Sequence, residues 1–67
     1  MKKYYYTIIR KYYGINYSVD ISEEEDCFIF NTETEAKQCL KSIFNNGDWM
    51  EDERYGKVRY YIEQVRE

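Results

Sequence analysis

One stretch of the chain is marked at both ends as a helix, and it constrains everything around it. Thr32 and Glu35 have capping-box spacing: the Thr hydroxyl can accept from the Glu35 N–H while Glu35 reaches back. Behind them Ala36, Cys39, Leu40, Ile43 and Phe44 recur at helical intervals, giving one apolar stripe for a core. Asn46-Gly47 closes the segment, Gly47 suiting the left-handed position past a helix end. A rod of about 20 Å results, enough to cross a small sheet. No second segment has this pattern, so the other apolar residues must form strands.

The strand signals are of uneven quality. Residues 3–13 are rich in tyrosine and isoleucine, but Tyr4, Tyr6 and Ile8 alternate with Tyr5, Thr7 and Ile9, so either face suits a core. Residues 15–21 alternate cleanly, with Ile15, Tyr17, Val19 and Ile21 on one face. Gly14 between the two runs suits a hairpin turn. Cys27–Phe30 reads as a short buried strand after a charged loop at 22–26, and 48–56 as a second loop. In the final strand, Lys57–Val65, Val58, Tyr60 and Ile62 share one face, and Arg59, Tyr61 and Glu63 the other. The order β-β-β-α-β predicts a single α+β domain over residues 1–67. An antiparallel-rich sheet of about four strands carries the helix on one face and leaves the other open.

Composition narrows the functions available to such a domain. The 67 residues include no histidine and no proline, which removes imidazole catalysis, His-ligated zinc and a histidine pH switch. There is no CxxC pair, no phosphate-binding glycine loop and no Ser-His or Cys-His constellation, so neither an enzyme nor a cofactor is expected. Cys27 and Cys39 read as packing residues with reduced thiols in a cytoplasmic protein. No apolar run approaches the ~18–20 residues of a membrane span, and the N-terminal run is too short and aromatic for a signal peptide. A domain this small buries only about 60% of its unfolded surface. Its thirteen aromatic residues, or a second copy of the chain, are the expected supplements to the core.

Charge is polarised along the chain. Residues 1–17 carry Lys2, Lys3, Arg10 and Lys11 and no acid, whereas eleven of the thirteen acids fall within 18–35 and 47–53. Asp20, Glu23, Glu24, Glu25 and Asp26 form one acidic candidate surface, and Asp48, Glu51, Asp52 and Glu53 the other. Trp49 lies inside the second, where a single large aromatic can anchor a partner or fold back over the core. Closely spaced carboxylates offer a basic groove the kind of charge array that nucleic acid offers it. Soluble loops carry such acids too, and the calcium alternative lacks EF-hand spacing and its central glycine.

A second candidate surface is the helix-free sheet face with Lys11, Arg59 and Tyr61, joined by Tyr5 or Tyr13. Aromatics interleaved with cations suit stacked single-stranded nucleic acid, although they are equally good cross-strand packing. Burial of this tyrosine face in a symmetric dimer is a third expectation.

In size, in the acidic blocks Ser22–Asp26 and Asp48–Glu53, and in its one helix on a small antiparallel sheet, the chain resembles small acidic anti-defence proteins of phages and mobile elements. The anti-CRISPR proteins are among these. The resemblance implies a non-enzymatic inhibitor in the host cytoplasm. It would act as a nucleic-acid mimic, engaging and blocking a basic site on a larger protein or nucleoprotein complex. Direct nucleic-acid binding ranks second, and the state is monomer or homodimer.

Overall fold

The computed structural model describes residues 3–23 and 28–67, so Glu24, Glu25, Asp26 and Cys27 lie outside the described residues. The fold is α+β, one helix packed on an antiparallel sheet. The strands are β1 (Tyr4–Tyr12), β2 (Ser18–Asp20), β3 (Ile29–Phe30), β4 (Met50–Asp52) and β5 (Gly56–Arg66), with α1 (Glu33–Ile43) between β3 and β4. Their order is β2-β1-β5-β4, and β3 pairs with β1 beside β2. The centre is the long β1–β5 ladder, which runs in unbroken register from Tyr4↔Arg66 to Tyr12↔Val58.

Register decides the faces, because directly paired residues point the same way. Ile8, Val58 and Tyr60 point toward α1 and form the core with Ile21 and Phe44. Phe44 stacks on Tyr60 at 4.2 Å between ring centroids, and Phe28 tilts against Phe44 at 5.4 Å. Ala36, fully buried, lets the helix approach closely. The ambiguous faces of 3–13 have a physical resolution: Thr7 and Ile9 are buried on the helix-free side, so the middle of β1 is covered on both faces.

The helix begins as its capping signal predicts, with the Glu35 N–H donating to Thr32 Oγ1 at 3.2 Å. Its C-terminal exit takes three successive left-handed residues, Asn45, Asn46 and Gly47. The stripe is only partly used, since Ile43 is 58% exposed while Ala36 and Phe44 are buried. The alternating run 15–21 contributes only β2 at 18–20; Ile15 and Tyr17 are exposed in the turn that opens at Gly14, where φ is +83°. Of the strand expected over Cys27–Phe30, Cys27 lies outside the described residues and Ile29–Phe30 are paired, with Ile29 exposed, not buried. The expected loop at 48–56 holds a fifth strand, β4, which pairs with the start of β5 through Met50↔Val58 and Asp52↔Gly56. Asp52 accepts from the N–H groups of Arg54 and Tyr55 at 2.8 and 2.9 Å, an Asx-type turn that makes this hairpin.

Gly47 combines a φ of +84° with a position where an added Cβ would lie 3.3 Å from the Tyr60 carbonyl oxygen. Gly47→Ala is therefore expected to cost about 1–2 kcal/mol, read as a lowered urea midpoint with the helical circular dichroism retained.

Candidate functional site

Two surfaces carry the candidate residues, and they lie on opposite faces of the sheet. On the helix side, an open hollow of about 580 Å³ is bounded by Ile21 and Phe28 on one wall and by Glu51, Asp52, Glu53 and Arg54 on another. Ile21 and Phe28 flank the first acidic stretch in sequence, and 51–53 belong to the second. β2 and β4 are separated by two strands, about 14 Å; of the candidate acids only Glu51, Asp52 and Glu53 line the hollow, and Ile21 brings the start of the first stretch to its opposite wall. Glu23, Glu51 and Glu53 are exposed. Asp48 is also exposed, beyond the helix end. Asp52 is half-buried and occupied by its turn, and Asp20 accepts from the Ser22 hydroxyl at 2.6 Å and its N–H at 2.9 Å. Between described residues the one ion pair is Lys37–Glu33, an exposed helix pair remote from these acids in sequence.

At the floor of the hollow sits a residue that sequence reading grouped with the N-terminal cations. Arg10 is only 6% exposed. Its Nε donates to the Tyr12 hydroxyl at 2.8 Å, and its guanidinium lies 4.1 Å from the Tyr55 ring centroid. The signal was its parity, because Arg10 shares the core-facing side of β1 with Ile8. Burial pushes the Tyr60 phenol above its ordinary pKa, and the adjacent Arg10 guanidinium pulls it partly back.

On the helix-free face, Trp49 lies on the same side as Glu51, whose ladder partner is Lys57, and opposite to Asp52. It packs edge-on against Tyr13 at 5.2 Å, with the Arg59 guanidinium 5.9 Å from its ring. Arg59 also lies 6.0 Å from Tyr61, and Lys57 Nζ lies 5.3 Å from Tyr13. The result is an alternating strip, Lys57–Tyr13–Trp49–Arg59–Tyr61, in which Tyr13 is 63% and Trp49 37% exposed. Lys11 is exposed opposite Arg59 in the ladder, and Tyr5 lies farther along the same face opposite Val65. Sequence reading found this face but missed that Trp49 joins it. The missed signal was two-residue periodicity: Trp49 and Glu51 share a side, as do Met50 and Asp52.

Among the described residues no group of three or more His, Cys, Asp or Glu side chains is placed to hold a metal ion. No described helix is long and apolar enough to cross a membrane. Cys39 is half-buried on α1, packed against the core. No protein family, curated protein or solved structure matches the chain.

Tyr60 gives a pH prediction with a definite sign. A phenol whose pKa is raised by folding contributes stability that is complete below about pH 10. That contribution is lost as pH climbs through the folded value, because the unfolded chain releases its proton first. The urea midpoint is expected to fall above about pH 10, and Tyr60→Phe to flatten part of that fall.

Proposed function

We propose that the chain is a non-enzymatic binding protein whose acidic rim engages a basic, nucleic-acid-binding site on a larger protein and blocks it. The observation that carries this reading is the open hollow lined by Glu51, Asp52 and Glu53, with Ile21, the residue after Asp20, on its opposite wall. Exposed Glu53 on one wall and Glu23 beyond Ile21 present negative charge without a covering element among the described residues, and exposed Glu51 adds charge at the same edge from the other side of β4. Such an array steers encounter with a cationic groove and is sensitive to salt. An inhibitor of a nuclease or surveillance complex, acting stoichiometrically in the cytoplasm of a phage host, is the specific form that the anti-CRISPR resemblance suggests.

An arginine-rich peptide is a suitable probe. Calorimetry is expected to show binding that decays steeply with salt and weakens about tenfold in Glu51→Lys/Glu53→Lys, at up to ~1 kcal/mol for each rim charge. Unchanged affinity in that variant, or indifference to salt, overturns the acidic-rim mechanism.

The position of Trp49 favours a second reading, single-stranded nucleic acid stacked on the strip beside Arg59 and Tyr61. Each stacked base contributes ~1–3 kcal/mol. Trp49 is the only tryptophan, so its fluorescence reports the strip directly. Oligo-dT is expected to quench it at low salt, and Arg59→Ala to weaken binding at least fivefold; no quenching removes this reading.

A further inference from the structure

The outer edge of β5 is incompletely covered, and its free part is self-complementary. The Glu67 N–H donates to the Lys3 carbonyl and the Tyr13 N–H to the Lys57 carbonyl, each at 3.0 Å. Odd-numbered residues of β5 therefore direct their backbone groups at β1, and even-numbered ones direct theirs outward. Outward groups at Gly56 and Val58 pair with β4. Gly47 packs beside the Tyr60 carbonyl, where an added Cβ would lie 3.3 Å from its oxygen. Beyond it Ile62, Gln64 and Arg66 point their N–H and C=O groups away from β1, with no backbone partner among the described residues.

We propose that this edge pairs with the same edge of a second copy, about a two-fold axis through Gln64. Registers centred on a residue keep like faces together. One centred on Ile62 would need the backbone groups of Val58, which β4 already uses, and would bring a second strand onto Tyr60 where Gly47 packs. One centred on Glu63 sets that carboxylate against its own copy, a destabilising arrangement. The register centred on Gln64 stays within the free stretch. It pairs Ile62 with the partner's Arg66, Gln64 with the partner's Gln64 and Glu63 with the partner's Val65. No like charges stand directly opposite, and about six backbone hydrogen bonds form. The sheet continues across the axis with both helices on one side. Glu63 and Arg66 discourage pairing with unrelated strands, as charges on edges do.

So short an edge buries less than a standard interface, so self-association is weak. Sedimentation is expected to show the mass rising from 8.3 kDa toward twice that value with concentration, between ~10 μM and ~1 mM. Gln64→Pro removes an outward N–H that the β1 ladder does not use, a position where a strand tolerates proline. It is expected to keep the monomer's circular dichroism and weaken dimerisation at least tenfold. Gln64→Lys, which opposes two ammonium groups at the axis, is expected to weaken it in low salt and recover in high salt. Trp49→Ala leaves the dimer unchanged. A monomer mass throughout, a dimer indifferent to both Gln64 variants, or a dimer lost in Trp49→Ala overturns the proposal, the last placing the contact on the other face.

Discussion

The β1–β5 ladder is the constraint on which the rest of the molecule depends. Nine consecutive pairs lock two segments from opposite ends of the chain into one register. Every other element takes its position from that pairing. β2 and β3 share one edge of β1, β4 takes the beginning of β5, and α1 covers the face where Ile8, Val58 and Tyr60 meet. With few fully buried side chains among the described residues, the domain relies on this long non-local contact and on aromatic packing. Contacts of such sequence separation form slowly, so β1–β5 closure is the expected bottleneck in folding.

The ladder also explains how one small sheet carries two unlike surfaces. Alternation along β5 sends Val58 and Tyr60 into the core and Arg59 and Tyr61 to the opposite side. Alternation along β4 does the same, sending Met50 and Asp52 to the helix side and Glu51, the ladder partner of Lys57, to the side of the strip. Arg10 shows the same logic from within. Its parity forces a guanidinium into the helix side of the sheet, where tyrosine rings and a hydroxyl receive it.

Much of the fold was legible in local patterns. The capping box at Thr32, the helical stripe and the faces of β5 could be read because each depends on neighbouring residues. β4 was hidden because Asp48–Gly56 is polar, and its pairing depends on an edge supplied by β5 and a turn held by Asp52. Residues 15–21 misled in the other direction: their alternation is strand-like, but β1 offers pairing only to 18–20. Candidate surfaces were legible as composition and not as geometry. The acids and the Tyr/Arg face could be named, while the transfer of Trp49 to that face followed from a strand whose pairing is set at a distance.

Strand parity also governs how this chain can change length over evolutionary time. Between Lys57 and Ile62, inserting or deleting one residue would exchange the core row for the surface row, turning Tyr60 outward and Arg59 inward. Lineages descending from such an ancestor would therefore vary in length at the bends near Gly14 and Arg54, where the backbone can absorb an extra residue, while β5 stays fixed in length.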